Sequence, residues 1–214
     1  MKVERIVKKD EKNVTLFLDN NEKLFLSYEV FLKSGLRKND DIPEDRISLL
    51  IDDNKKYFLK QKAFRYLGRR HHSSYELKLK LKQKNYDSEL IETIIEELEK
   101  GNYINDYEFA KIYSEENIRN KLWGKRKIEA ELIKKGVERS IIARVVNECF
   151  PAENEIEKAI TLCEKKLRTL KSRKIKDGKL IPKLISFLIS RGYDYEISRT
   201  AAEKVFNNVN GDFS

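Results

Sequence analysis

Side chains able to make or break bonds are few in this chain of 214 residues. His71 and His72 stand side by side with no cysteine or further histidine near them. A loop or capping role explains them better than metal binding or proton transfer. Asp106 and Glu108 could pair as acid and base, yet carboxylates at a helix start are explained by capping and by the helix dipole. No phosphate loop of Gly-x-x-x-x-Gly-Lys-Ser/Thr form and no Gly-x-Ser-x-Gly elbow occurs. Cys149 and Cys163 lack Cys-x-x-Cys or metal-ligand spacing and sit in apolar helical contexts, as core thiols do. The expectation is a non-enzymatic protein with no catalytic residue, no metal and no cofactor.

Cations are what the chain does offer. Arg69, Arg70, Lys78, Lys80, Lys82 and Lys84 form one group, and Lys125, Arg126, Lys127, Lys134 and Lys135 a second. The third runs through Lys165, Lys166, Arg168, Lys171, Arg173, Lys174, Lys176 and Lys179. The formal net charge is +9, while residues 1–54 hold 10 basic and 12 acidic residues, so the whole excess lies beyond residue 54. That distribution favours a polyanionic partner. A solvated helix face explains any single lysine. Three groups at related positions would instead make a stripe that holds phosphates by counterion release without reading sequence. The many acidic neighbours suit a partner of mixed charge. Trp123, beside Gly124 in a basic segment, is the best single candidate for an exposed anchor, with a buried structural role as its alternative. Tyr103, Tyr107, Phe109 and Tyr113 gather nearby, for packing between units or for partner contact.

These residues need a scaffold, and the spacing of apolar residues supplies it. Val14–Leu18 and Lys23–Ser27 read as a β-hairpin around the turn Asp19–Glu22, with a third strand over Val3–Val7. A short helix covers Tyr28–Ser34 and stops at Gly35. Pro43 suits the first turn of another helix running toward Ile51, and from Lys55 onward the chain is helical. No run approaches the roughly 18 apolar residues of a membrane helix, and Met1–Arg5 carries no signal-peptide core. A cytoplasmic protein is expected.

The segment from Trp123 to Val146 is the clearest local signal. Ile128 and Leu132 share a helix face, Lys134 and Lys135 suit a last turn, and Gly136 ends the helix. Ile141, Ile142, Val145 and Val146 mark the inner face of the next helix. The pattern recurs. Leu81 aligns with Leu132 at a shift of 51, which sets Leu77 on Ile128 and Asn85 on Gly136. Gly192 aligns with Gly136 at a shift of 56, which sets Leu184 on Ile128 and Leu188 on Leu132. The run Leu77-Lys78-Leu79-Lys80-Leu81 alternates like a strand, but Leu79 falls opposite Ala130 and Ser186, off the shared face, so the segment reads as helix. Asp87 and Asp194 are good N-caps for the helices after the turns; Glu138 is a poorer one. An apolar helix precedes each pair. The fold expected is mainly α: three tandem three-helix repeats in an elongated array, after a small N-terminal β-hairpin and helix module. The boundaries are 1–54, 55–104, 105–150 and 151–209, with a tail of 210–214.

At this point the chain resembles the bacterial RecX family, regulators of the RecA recombinase. The likeness is carried by Gly101-Asn102-Tyr103-Ile104-Asn105-Asp106-Tyr107-Glu108-Phe109-Ala110, Tyr113, Arg119, Gly124, Ile128, Glu131, Leu132, Lys135-Gly136-Val137 and Ile142. Residues Ala63–Leu98 fit too. The N-terminal hairpin resembles the extension of longer members. Asn85 stands where a Gly would be expected, and Asn also tolerates a left-handed backbone. The resemblance implies tandem three-helix repeats and a modulator, mainly an inhibitor, that lies in the groove of RecA filaments on single-stranded DNA. It implies damped ATP hydrolysis, strand exchange and filament growth. The partners expected are the RecA filament, single-stranded DNA and, as a further target, duplex DNA, with the chain itself a monomer. The partner-facing candidates are Arg69, Arg70, Lys78, Lys82, Arg119, Trp123, Lys125, Arg126, Lys127, Lys134, Lys135, Lys171, Arg173 and Lys174. Asp106, Phe109, Ala110, Gly124, Ile128, Leu132 and Gly136 are expected to shape the unit. A general nucleic-acid-binding module without a RecA role is the alternative, and a small nuclease a third reading for which no metal ligand set is offered.

Overall fold

Three strands open the chain in this computed structural model, which describes residues 1–150, 155–173 and 175–211. They are β1 (Val3–Lys8), β2 (Asn13–Leu18) and β3 (Lys23–Ser27), antiparallel in the order β1-β2-β3. Alternation decides which face is dry: Val14, Leu16, Leu18, Leu24 and Leu26 point inward and are buried. They join Val3, Val30, Leu36, Ile42, Ile47 and Leu50 in one apolar cluster, so the sheet is not left to stand alone. Helix α1 (Tyr28–Ser34) starts where the Ser27 hydroxyl accepts the Val30 N–H at 3.1 Å.

Helix α2 (Glu44–Leu67) is a single 24-residue element. The expected break between residues 54 and 55 falls inside it, and the helix expected toward Ile51 is joined to the one expected from Lys55. No Pro or Gly lies between Glu44 and Leu67, so nothing interrupts the backbone hydrogen bonds. Pro43 is the N-cap rather than a first-turn residue. Midway along α2 the Asn54 side chain accepts the Ser27 N–H at 2.7 Å and donates to the Phe25 carbonyl at 2.8 Å. It thus takes the place of a neighbouring strand on the open edge of β3.

The chain divides into two compact units, residues 1–71 with 77–104, and residues 72–76 with 105–214. In the first, α2 is followed by α3 (Ser74–Lys82), whose first three residues belong to the second unit, and by α4 (Ser88–Lys100). Leu59, Ala63, Leu77, Leu81, Ile91, Ile94, Ile95 and Leu98 form its second core. Leu79 is 44% exposed, as expected of a residue off the repeat's shared face. The second unit holds α5 (Asp106–Lys121), α6 (Lys125–Lys134), α7 (Arg139–Cys149), α8 (Glu155–Ser172), α9 (Leu180–Ser190) and α10 (Tyr195–Gly211). Phe109, Ala110, Ile128, Leu132, Ile142, Val145 and Val146 build one of its clusters. Ala159, Leu167, Leu184, Leu188, Ala201 and Ala202 belong to the other. Among the described residues no helix is long and apolar enough to cross a membrane.

The three aligned turns share one geometry. Asn85, Gly136 and Gly192 have φ of 58°, 71° and 97°, the left-handed region that lets a helix stop and the next begin at once. Asp87 accepts the Glu89 and Leu90 N–H groups at 2.8 and 3.2 Å, and Asp194 accepts the Ile197 N–H at 2.9 Å. Glu138 caps no backbone group and instead accepts the Ser140 hydroxyl. Both cysteines are free thiols; burial pushes Cys163 up to about 12, which keeps it protonated and unreactive. Replacing Asp87 by Ala removes two charge-assisted capping bonds, so urea unfolding is expected to show a loss of about 1 kcal/mol. Glu138→Ala, where no cap exists, is expected to show little change.

Candidate partner-binding surface

The second unit is held by one contact made twice: the start of a helix docks on a helix–glycine–helix turn. At α6 the Gly124 N–H donates to the Arg191 carbonyl at 2.8 Å, and the Arg126 N–H to the Gly192 carbonyl at 3.1 Å. The first N–H groups of a helix have no partner within it, so carbonyls of another turn are a natural acceptor. The approach is so close that a Cβ on Gly124 would lie 2.6 Å from the carbonyl carbon and oxygen of Gly192. Just upstream Leu122 takes a left-handed φ of 50°, and its carbonyl accepts the Tyr193 hydroxyl at 3.0 Å. Burial pushes the Tyr193 phenol up to about 12, so it stays a donor.

The start of α3 repeats the arrangement on the α6–α7 turn. The Ser73 hydroxyl accepts the Glu76 N–H at 3.1 Å and donates to the Lys135 carbonyl at 2.6 Å. Tyr75 lies directly over Gly136. Asp106 is drawn in as well: its carboxylate accepts the Ser74 N–H at 2.8 Å and the Ser74 hydroxyl at 2.9 Å. Asp106 therefore caps a helix other than its own, and Asn105 caps α5 by accepting the Tyr107 and Glu108 N–H groups. The repeat shift of 51 places Ser73 opposite Gly124, a correspondence in the sequence that would have exposed the pairing.

This framework sorts the basic candidates. Lys135 is engaged: its ammonium meets the Glu76 carboxylate at 2.8 Å and lies 4.8 Å from the Tyr113 ring centre, with 21% of the side chain exposed. Lys127 and Lys134 both reach Glu131, at 3.2 and 3.0 Å. Lys78 pairs with Glu92, and the Arg70 guanidinium donates to the His71 carbonyl. Arg69, Lys82, Lys171 and Arg173 are exposed, and Lys174 lies outside the described residues. Arg119 lines a cavity of about 650 Å³ with Lys111, Glu115, Cys149 and Lys158. Lys125 and Arg126 are exposed on the first turn of α6 and form no ion pair among the described residues. Trp123 is half-buried. Its ring packs edge-on to Tyr113 and carries Lys121 at 4.4 Å and Lys127 at 5.6 Å. Lys121 is not among the sequence candidates, although it stands two residues before the lone Trp. The four aromatics do not act as one group: Tyr103 packs edge-on to Phe64, Tyr107 donates to Glu148 at 2.6 Å, and Phe109 stacks on Tyr113.

Ile128 and Leu132 are fully buried beneath this surface, and Phe109 and Ala110 pack with them. His72 is buried and His71 exposed. Among the described residues no group of three His, Cys, Asp or Glu is placed to hold a metal ion.

Family models describing the first, second and third three-helix domains of RecX match residues 60–98, 105–146 and 153–202. The Regulatory protein RecX of Clostridium beijerinckii is 31% identical over 201 residues, 94% of this chain and 92% of that protein. The chain belongs to the RecX family. The Clostridium perfringens RecX is 29% identical over 95% of this chain and 94% of that protein. A crystal structure of regulatory protein RecX superposes with a TM-score of 0.76 at 21% identity, covering 94% of this chain and 98% of that one. RecX from Lactobacillus salivarius gives 0.61 at 23% identity, over 72% and 97%. The mainly α build of three RecX domains behind a small antiparallel sheet is thus the fold of this chain.

Two measurements test the RecX framework. Gly124 has φ −80°, so Ala there meets no penalty from its own backbone angles, only the Gly192 and Tyr193 backbone. Gly124→Ala is expected to lose about 1–3 kcal/mol in urea unfolding. Gly178→Ala, where nothing lies within 4 Å, is expected to lose little. The hydrogen bond from Lys134, with help from Lys127, holds the Glu131 carboxyl below its ordinary 4.5. A depressed acid stabilises the fold fully above its unfolded value and loses that contribution as pH falls through the lower folded one. Glu131→Gln is therefore expected to flatten the stability–pH curve below pH 4.5 and to cost under about 1 kcal/mol at neutral pH.

Proposed function

We propose that this chain is a non-enzymatic modulator, mainly an inhibitor, of RecA filaments on single-stranded DNA. The observation that carries the reading is family membership across 94% of the chain, with relatives named regulatory proteins. The protein binds in the filament groove and damps ATP hydrolysis, strand exchange and filament growth. Repeated three-helix domains suit a partner that is itself a repeat, since contacts to successive protomers act with raised effective concentration. Lys125 and Arg126 lead the partner-facing set, because they are exposed and form no ion pair among the described residues, with the exposed Arg69, Lys82, Lys171 and Arg173 beside them. Arg70, Lys78, Arg119, Trp123, Lys127, Lys134 and Lys135 remain in that set. The protein works in the cytoplasm as a monomer, against the filament, its single-stranded DNA and, secondarily, duplex DNA.

The exposed cations also favour a second reading, general binding to nucleic acid without a RecA role. The single-stranded-DNA-dependent ATPase of the cognate RecA separates the two. Inhibition is expected at or below equimolar protein, and Lys125→Glu with Arg126→Glu is expected to weaken it on the order of tenfold while circular dichroism is unchanged. Unaltered ATPase under conditions where filaments form would refute the modulator reading. Tight, salt-sensitive binding to bare DNA alone would then support the second.

A further inference from the structure

The N-terminal sheet lies outside the residues matched by the RecX domain models, and Arg5, Val7, Phe17, Lys23 and Phe25 on its outer face are not part of the apolar cluster beneath it. Strand pairing arranges that face in two rows. Arg5, Phe17 and Lys23 are aligned across the three strands, and so are Val7, Thr15 and Phe25. Arg5 lies 4.1 Å from the Phe17 ring centre and Lys23 5.5 Å. Phe25 is 61% exposed, and Val7 is 37% exposed. Phe17 and Phe25 are diagonal neighbours on adjacent strands, about 7–8 Å apart.

Thr15 is buried at the centre of this face and Phe17 half-buried, but burial does not account for Phe25 or Val7. The inward residues of the same strands already complete the core, and Asn54 already satisfies the edge of β3. The two rows carry two cations and no carboxylate, although residues 1–54 as a whole hold more acidic than basic residues. The cations lie against an aromatic ring rather than against acids. Aromatic rings on a sheet face, flanked by cations, match the two needs of a single strand: a surface for unstacked bases and charge for phosphates. A duplex keeps its bases stacked and offers such a surface only phosphates. An acidic protein would use the cations but offers no unstacked bases to lie on Phe25.

The geometry points to a base-stacking platform for single-stranded nucleic acid on the outer face of β1–β3, with Phe25 as the open ring and Arg5 and Lys23 as the phosphate contacts. This goes beyond the recombinase reading and does not depend on it, because the test contains no recombinase. Binding of the intact protein to a fluorescein-labelled oligothymidylate strand is followed by anisotropy, beside an abasic strand of equal length and a duplex. Phe25→Ala is expected to weaken oligothymidylate binding about tenfold while leaving abasic-strand and duplex binding within about twofold. Phe25→Trp is expected to retain the wild-type affinity. Arg5→Ala with Lys23→Ala is expected to weaken oligothymidylate and abasic strands alike and to lower the salt dependence of both. The proposal is overturned if wild-type protein fails to bind oligothymidylate or binds the abasic strand equally well. It is equally overturned if Phe25→Ala, with an unchanged circular dichroism spectrum, binds oligothymidylate as wild type does or loses all three ligands together.

Discussion

Much of the second unit depends on a helix start finding its hydrogen-bond acceptors in a turn elsewhere in the chain. The first N–H groups of α6 have no intrahelical partners, and Gly124 offers no side chain to cap them. The carbonyls of Arg191 and Gly192 serve instead, at 2.8 and 3.1 Å. That requires backbone against backbone, and so a glycine on each side. The α3 start reaches the same end by other means, with the Ser73 hydroxyl on the Lys135 carbonyl and Asp106 on Ser74. One physical requirement is thus met by bare backbone in one place and by side-chain oxygens in the other.

The same contact and the bridges within α6 together set the electrostatics of the surface. Lys135 sits beside the docked α3 start, so its ammonium is taken by Glu76 and by the faces of Tyr113 and Phe109. Lys127 is drawn between Glu131 and Trp123. Lys135 is neutralised by a carboxylate that the docking brings and Lys127 by one on its own helix, while Lys125 and Arg126, in the first turn of α6, remain exposed. Glu155 illustrates the balance: burial pushes its carboxyl up, against the Lys125 N–H and ammonium that favour the charged form. A partner would meet a surface whose charge is set by which lysines the framework has used.

The N-terminal sheet follows a different logic. Its inner face is fixed by alternation and its edge by Asn54, which leaves the outer face free to carry Phe17 and Phe25 among cations. The exposed charges of the helical domains stand on helix turns, whereas those of the sheet lie against an aromatic ring.

By itself the sequence determined the elements and their recurrence. Apolar spacing located Leu77, Leu81, Ile128, Leu132, Leu184 and Leu188, all fully buried, and the internal alignment overrode the strand-like run around Leu79. Asp87 and Asp194 announced their caps because capping is local chemistry. The continuity of α2 was less legible, since Asp52-Asp53-Asn54 resembles a break but contains no residue that forces one. Only the tertiary structure decided which charges are spent. Lys135 and Lys125 look alike in sequence, and what separates them is Glu76, 59 positions away along the chain but within 2.8 Å in space. Periodicity reports which face of a helix is dry. It does not report which distant carboxylate, ring or carbonyl that face will bring to a neighbouring lysine, because that pairing exists only once the helices have docked.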